Sequence, residues 1–305
     1  MIEIRQMTMD DLGLGLRLTQ QAGWNQLESD WLRFINLGHE GCFVAELDGR
    51  SVGTTMTFIC DNVAWVAMVL VEKDVRGKGV GTALLKHALD YLDKCKIKTV
   101  RLDATHLGQP IYEKLGFLPE YELARFAGIV KDLRLPIADC RIYSHEDSKT
   151  QRNIIQKPSC LGVFVAIINR QSQIDNIIEF DMRLTGENRR KMLDALFGEY
   201  PENVRVVMQG DSVEGFVTMR PGRKAIQIGP CTATLTAGPA LLSDALSRCA
   251  GKVVFVDIPT DNLPAVKIAE AGGLEIQRRF LRMYRGERVK DDVNAIWASS
   301  GPEKG

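Results

Sequence analysis

The segment that decides the fold of this chain runs from Val69 to Leu85 and reads VLVEKDVRGKGVGTALL. An apolar, strand-like run leads into a loop with glycine at every second position from Gly77 to Gly81, and an amphipathic helix follows over Thr82–Lys94. Small residues let a backbone curl until several N–H groups point at one spot, where the helix N-terminus adds partial positive charge. The pattern therefore predicts a site for phosphate oxygens.

The spacing of this loop argues against two common nucleotide-binding motifs. A dinucleotide fingerprint needs G-x-G-x-x-G near the start of a βαβ unit, whereas this loop reads G-x-G-x-G after a hairpin. A Walker loop needs a lysine followed at once by serine or threonine, and here Lys78 is followed by Gly79. The phosphate must belong to another kind of ligand.

Alternating strands and helices fill the first 130 residues. The patterns predict strands at Ile2–Gln6, Cys42–Leu47, Ser51–Ile59, Val63–Val71, Thr99–Asp103 and Tyr121–Ala127, with helices after Thr8, after Asn25, at Thr82–Lys94 and at Gln109–Leu115. Asp48-Gly49 is typical of a two-residue hairpin turn. Hairpins first and a strand–helix–strand crossover later predict a mixed, mostly antiparallel sheet with helices on both faces, an α+β fold in α/β/α layers.

The second half repeats this order weakly. Gly210-Asp211 marks a hairpin like the earlier one, a helix is predicted at Asn188–Phe197, and the helix Gly238–Arg248 precedes the strand Val253–Asp257. We therefore predict two divergent copies of one fold. The domains are expected at residues 1–130 and 176–297, with a connecting segment at 131–175 and a disordered tail at 298–305.

Composition narrows the class of protein. The chain has 305 residues with 39 basic and 39 acidic side chains, so no net field favours nucleic acid or an anionic membrane as partner. The N-terminus lacks the features of a secretory signal, and the longest apolar runs, Ala64–Val71 and Leu161–Ile168, are strand-sized. Seven scattered cysteines form no C-x-x-C pair. We expect a cytoplasmic protein with reduced thiols and no metal.

The glycine-rich loop resembles that of the GNAT superfamily of acetyl-CoA-dependent acyltransferases, in which R-G-x-G-x-G/A holds the coenzyme A pyrophosphate. Arg76, Gly77, Gly79 and Gly81 match this pattern, and further backbone donors fall at Lys78, Val80 and Thr82. Downstream, LDAT at 102–105 and IYEKLGF at 111–117 look like the family's second signature. The resemblance covers residues 1–130 and implies acetyl-CoA as cosubstrate.

The resemblance also implies direct attack of an amine on the thioester. In the family a backbone N–H of the strand before the loop binds the acyl carbonyl, which places this role at Val69, Leu70 and Val71, residues that also belong to the core. Tyr112 matches the general acid that protonates the leaving thiolate. Packing of its ring in the core is the alternative interpretation.

Other candidate residues carry weaker signals. No carboxylate lies on the strand before the loop, so His106 is the candidate general base, with an exposed or capping histidine as the alternative. Asp103 would orient the substrate amine or cap the next turn. Trp24 and Asn25 lie between the first two helices, where GNAT folds cover the acceptor pocket, and helix packing is their alternative role.

The second copy departs from the family pattern. It reads IGPCTA over 228–233, with no glycine-rich loop, and Val266-Lys267-Ile268 falls where the first copy has Tyr112. We therefore predict a degenerate GNAT copy that does not bind acetyl-CoA in the usual way. Arg220, Arg223 and Lys224 form either a solvated basic turn or an anion or substrate contact across the domain interface.

These observations predict a tandem GNAT N-acetyltransferase whose first copy is active. A small-molecule amine is the expected acceptor rather than a protein, although its identity cannot be read from the sequence. The alternative from another class is a non-catalytic acyl-CoA-binding regulator, since both would share the phosphate loop. The sequence leaves a homodimer open.

Overall fold

The computed structural model describes residues 1–131, 164–166 and 171–301. Its helices are α1 (Leu12–Ala22), α2 (Glu28–Gly38), α3 (Val80–Lys94), α4 (Gln109–Lys114), α5 (Gln171–Thr185), α6 (Arg190–Glu199), α7 (Gly238–Ser247) and α8 (Leu263–Ala271). The strands of the first copy are β1 (Ile2–Gln6), β2 (Cys42–Leu47), β3 (Arg50–Cys60), β4 (Val63–Val71), β5 (Thr99–Ala104) and β6 (Leu118–Ile129). The remaining strands are β7 (Phe164–Ala166), β8 (Arg205–Gln209), β9 (Ser212–Arg220), β10 (Ile226–Ala233), β11 (Val253–Pro259), β12 (Glu275–Gly286) and β13 (Ile296–Ala298).

One continuous sheet joins the two copies. The strand order is β1-β2-β3-β4-β5-β12-β6-β11-β10-β9-β8-β7, and β13 pairs with β10. Each copy therefore exchanges its last long strand with the other. The strand β12 of the second copy lies between β5 and β6, and the strand β6 of the first copy lies between β12 and β11. The prediction of two copies is confirmed, but neither half of the sheet is complete without a strand from the other.

Matching ion pairs lie at the two ends of this strand exchange. Arg282 on β12 donates to both carboxylate oxygens of Asp103 on β5 at 2.8 and 2.9 Å, and Arg125 on β6 does the same to Asp257 on β11 at 2.7 and 2.8 Å. All four side chains are buried. A buried carboxylate is costly unless it is paired, so these contacts favour the observed strand register over any shifted one.

Helices cover both faces of the sheet, which confirms the predicted fold class. Alternate residues of β4 point to opposite sides: Trp65 and Ala67 pack in a core with α1, α2, α5 and α6, whereas Ala64 and Val66 pack in a core with α3. A separate core lies under α7 and α8. The helices α1 and α2 of the first copy and α5 and α6 of the second copy thus share a single hydrophobic core across the domain boundary.

Two predicted boundaries are wrong. The connecting segment was expected to reach residue 175, but β7 pairs with β8 and α5 already begins at Gln171, both within the second copy. Residues 132–163 and 167–170 of that segment lie outside the described residues. The tail was expected from residue 298, yet Ala298, Ser299 and Ser300 are buried because β13 is inserted into the sheet. Residues 302–305 again lie outside the described part.

Candidate active site

A cleft opens where β4 and β5 separate. The two strands pair in parallel only from Val63 to Trp65, after which a bulge displaces β4. At the bulge Met68 has a left-handed φ of 50°, and the Thr54 hydroxyl donates to its carbonyl at 2.9 Å. A bulge bends its strand and leaves backbone groups without a ladder partner. The backbone groups at this bulge border the gap between β4 and β5, where an acyl group could be inserted.

The cleft widens into a cavity of about 1230 Å³. Its walls come from β4, the glycine-rich loop, the α1–α2 connection, the loop after β5, α4 and the start of β12. The residues Val69, Leu70 and Val71 line it, as predicted from the resemblance. Their role as hydrogen-bond donors to an acyl carbonyl stays a prediction.

The glycine-rich loop has the geometry of an anion site. Gly77 and Gly79 have φ of 80° and 84°, in the left-handed region that glycine tolerates, and a Cβ at either would meet nothing within 4 Å. No side chain caps α3, so the first-turn N–H groups of Val80, Gly81 and Thr82 stay available. This leaves open space in front of a row of donors.

Four members of the predicted phosphate site differ in their surroundings. Gly81 and Thr82 line the cavity, whereas Lys78 is exposed and lies outside its wall. The guanidinium of Arg76 donates to the carbonyl of Val71 at 3.1 Å and thereby ties the loop to the end of β4. Lys78 can contribute its backbone, but the structure gives its side chain no contact with the cavity.

Tyr112, the predicted general acid, lies in the wall of the cavity. It projects from α4 into the cavity wall, and its ring packs edge-on against Phe117 with 6.0 Å between centroids. Burial raises the pKa of Tyr112 to about 12, so the hydroxyl keeps its proton at neutral pH. Both interpretations of this residue, packing and proton donation, are compatible with its position.

His106 and Trp24 also line the cavity, on different walls. His106 is exposed on the loop after β5, and Trp24 is half-buried in the α1–α2 connection. The structure therefore brings both predicted residues to the cleft that holds Tyr112 and the glycine-rich loop. Their roles as base and as substrate contact remain predictions.

Asp103 and Asn25 have structural partners that their predicted roles did not anticipate. Both carboxylate oxygens of Asp103 accept hydrogen bonds from Arg282, so the side chain is not a free carboxylate for an amine. Asn25 is buried, its amide nitrogen donates to the Ala225 carbonyl at 3.0 Å, and its oxygen accepts from the Lys224 and Ala225 N–H groups. Substrate recognition by Asn25 is therefore wrong, because the second copy occupies its polar atoms.

The basic turn of the second copy contacts the first copy, while the side chains of Arg223 and Lys224 are exposed to solvent. Arg220 is buried and pairs with Asp30 of α2 at 3.2 Å, and the backbone N–H of Arg223 donates to the carbonyl of Asn25 at 2.8 Å. This is the anion contact across the domain interface that the sequence left as an alternative. It fixes the α1–α2 connection, and with it one wall of the cavity.

The sequence did not point to one wall of the cavity at all. Residues 276–280 of β12 line it together with Arg125 of β6 and with Gln21 and Gln26 near the end of α1. For residues 276–280 the strand exchange is the reason, since it brings this part of the second copy to the first copy's cleft. No local signal in the sequence marks these residues as neighbours of the glycine-rich loop.

The equivalent cleft of the second copy is filled by the chain itself. The strands β10 and β11 pair in parallel from Ile226 to Ile228 and then separate, and β13 occupies the gap. Ala298 pairs with Cys231 of β10, and the N–H of Ser299 donates to the carbonyl of Asp257 on β11 at 2.8 Å. The chain thus bridges the two separated strands.

Trp297 of β13 blocks the start of α7, the counterpart of the phosphate-binding helix. The indole is fully buried, its N–H donates to the Ala233 carbonyl at 3.2 Å, and a Cβ on Gly238 would overlap the ring. Space that in the first copy faces a row of helix N–H groups is therefore filled by an aromatic side chain. This gives a physical reason for the predicted failure of the second copy to bind acetyl-CoA.

Among the described residues there is neither a metal-binding cluster nor a membrane-spanning helix. No group of three or more histidine, cysteine, aspartate or glutamate side chains in residues 1–131, 164–166 and 171–301 is placed to hold a metal ion. In the same part of the chain, no helix combines the length and the apolar character needed to cross a bilayer.

Comparisons with known proteins agree with this architecture. A model of the acetyltransferase (GNAT) family matches residues 6–117, and a model of an acetyltransferase (GNAT) domain matches residues 177–298. A holothin acyltransferase from Pseudoalteromonas sp. (strain SANK 73390) is 26% identical over 285 residues, which cover 92% of this chain and 87% of that protein.

Solved structures show the same fold over the whole chain. A Pyrococcus horikoshii protein assigned as an acetyltransferase has a TM-score of 0.77 at 20% identity, covering 100% of this chain and 96% of that one. A tandem GNAT protein from the clavulanic acid biosynthesis pathway has a TM-score of 0.61 at 15% identity, covering 95% and 100%. This chain is an acyltransferase that belongs to the GNAT acetyltransferase family and carries two GNAT domains in tandem.

Proposed function

We propose that this protein transfers an acetyl group from acetyl-CoA to an amine in the cleft of its first copy. The single observation that carries the proposal is the open cleft between β4 and β5, which leads to the uncapped N-terminus of α3 at Gly79. The equivalent space in the second copy is filled by Trp297. The chain therefore offers one site of this kind among its described residues.

The residues of the first cleft fit the cosubstrate. The backbone N–H groups of Val80, Gly81 and Thr82 face open space and suit a diphosphate. The cavity is large enough for an extended arm to run along Val69–Val71. Acetyl-CoA, when bound, supplies the activated thioester that the amine attacks.

Each protein group then has a limited task. The backbone at the β4 bulge donates to the acyl carbonyl as negative charge develops there. Tyr112 donates a hydrogen bond, and in the end a proton, to the departing sulfur, since a phenol is protonated at neutral pH. His106, exposed at the cavity mouth, takes the proton that the amine nitrogen loses as the new C–N bond forms and the C–S bond breaks.

The acyltransferase relative supports the reaction class. That protein is similar over 92% of this chain, and its name describes transfer of an acyl group to holothin. The similarity supports acyl transfer as the reaction of this chain, but it does not identify the acceptor.

The proposal is tested by detecting free thiol released from acetyl-CoA in the presence of a library of amines. We expect thiol release that depends on the amine and stops when Tyr112 is changed to Phe, while acetyl-CoA binding is retained. Binding of acetyl-CoA without turnover on any amine would contradict the proposal and favour the acyl-CoA-binding regulator.

A further inference from the structure

Strand β12 extends past the end of β5 and reaches the cavity. The pairing of the two strands runs from Gly286 opposite Thr99 to Leu281 opposite Ala104, where β5 ends. Residues of β12 before Leu281 therefore have no β5 residue beside them and lie on the cavity wall instead. This part of the wall belongs to the second copy.

Arg278 in this part of β12 differs from the two arginines near it. Arg282 and Arg125 each donate to both oxygens of an aspartate. Within the part of the chain that the structure describes, no acidic side chain forms a hydrogen bond or ion pair with Arg278. Its guanidinium is half-buried, lines the cavity and lies 6.0 Å from the ring centroid of Phe280.

The surroundings of Arg278 disfavour its charge. Burial lowers its pKa, and the guanidinium of Arg125, which is opposite in register, lowers the pKa further; Asp257 offsets this in part. An arginine nevertheless stays protonated in a protein. A charged, partly desolvated group without a counter-ion gains most when an anion enters the cavity beside it.

The position of Arg278 separates it from the phosphate site. The strand order β4-β5-β12 places β12 two strands from β4, which is about 10 Å at ordinary strand spacing. The glycine-rich loop follows β4 and has its own donors. A ligand held at Arg278 would therefore lie in the same cavity as the loop but apart from the loop's donors.

We propose that Arg278 binds a carboxylate of the acceptor, so that the substrate of this enzyme is an amine that also carries an acid group. The inference rests on the proposed function, because it assigns a specificity residue to the same cleft. Arg278 then acts in binding and orientation rather than in proton transfer. The second copy contributes to the reaction by supplying this residue on its exchanged strand.

The test compares acceptors that differ only in the acid group. Purified enzyme is assayed with acetyl-CoA and straight-chain ω-amino acids from glycine to ε-aminocaproic acid, with α-amino acids, and with the carboxamide of each. The variants are Arg278→Gln, Arg278→Lys and the control Arg285→Gln. Arg285 lies on the same strand but outside the cavity, and it pairs with Asp93 on α3.

We expect the wild type to prefer the acid over its amide in kcat/KM by about 10- to 100-fold, the range of a charge-assisted hydrogen bond. Arg278→Gln should remove this preference through KM, Arg278→Lys should keep part of it, and Arg285→Gln should keep all of it. The affinity for acetyl-CoA should be the same in all four proteins.

Equal rates with acids and amides in the wild type would overturn the inference, and so would an undiminished preference in Arg278→Gln. Weaker acetyl-CoA binding in Arg278→Gln would assign the residue to the cosubstrate's phosphates instead and would also overturn it. Absence of transfer to every amine tested would contradict the proposed function itself, which is a different failure.

Discussion

The two copies contain the same cleft in an open and a filled form. In each, two parallel strands pair over three residues and then separate ahead of a helix N-terminus. In the first copy the gap leads into a cavity of about 1230 Å³. In the second, β13 lies in the gap and Trp297 covers the helix. The backbone scaffold is thus retained while the space within it is used differently.

The difference shows that the gap between two separated strands can either border a cavity or be bridged by the chain itself. Separated strands leave backbone groups that need partners, and in the second copy the chain's own C-terminal strand supplies them. The first copy leaves the same groups facing the cavity. The second copy also positions the first cleft, through β12 and through its contacts with Asn25.

The largest effect is expected when the filled cleft is emptied. Replacing Trp297 with Ala removes a fully buried indole that touches Gly238, and we expect a loss of about 3–5 kcal/mol in the free energy of unfolding. Denaturant titration measures it. The milder variant Trp297→Phe serves if the alanine variant does not fold. A loss below about 1 kcal/mol would mean that β13 contributes little to the second copy.

The next effect tests whether chemistry is confined to the open cleft. Tyr112→Phe should lower kcat by about 10²- to 10⁴-fold with little change in acetyl-CoA affinity, since only the hydroxyl is lost. The control is Tyr284→Phe on β12, which lies outside the cavity wall. Steady-state kinetics on any accepted amine would measure both. An unchanged kcat in Tyr112→Phe would leave the residue with a packing role alone.

A smaller effect concerns the backbone of the phosphate loop. Gly79→Val places a β-branched residue at a φ of 84°, and the strain of about 1–3 kcal/mol corresponds to roughly 5- to 150-fold weaker acetyl-CoA binding. Gly49→Val is the matched control, because Gly49 has a φ of 78° with equally open surroundings but lies in a hairpin away from the cleft. Equal affinity in the two variants would contradict the assignment of the loop.

The smallest effect is a dependence of stability on alkaline pH. Burial raises the pKa of Tyr112 to about 12, above the ordinary value near 10, so between these values the unfolded chain loses a proton that the folded chain keeps. Stability should therefore fall as pH rises through this window. Tyr112→Phe should make the decline shallower by up to about 1.4 kcal/mol per pH unit. Identical slopes in the two proteins would mean that the phenol is not protected from solvent.

The features that could be predicted from the sequence are those determined by residues close to one another along the chain. The order of strands and helices in the first copy and the glycine-rich loop follow from apolar periodicity and from glycine placement, and the structure confirms them, with α3 beginning two residues earlier than expected. The prediction that the second copy does not bind acetyl-CoA also rests on local sequence, namely on its missing glycines.

The sequence could not predict what depends on distant partners. Asn25 carries the same amide whether it faces a substrate or the backbone of Ala225, 200 residues away. Ala298, Ser299 and Ser300 are small enough to be typical of a tail, yet all three are buried, and Ala298 pairs with Cys231 of β10. The exchange of β6 and β12 leaves no local pattern, so Arg278 could not be assigned to the first cleft.

The central claim is that the chain holds one functional acyl-CoA site, in the first copy. Isothermal titration of the full chain with acetyl-CoA tests it most directly, because it counts sites as well as measuring their affinity. We expect one molecule bound per chain, with binding weakened by Gly79→Val and unchanged by Gly49→Val. Two molecules per chain, or a single site indifferent to Gly79→Val, would contradict the account.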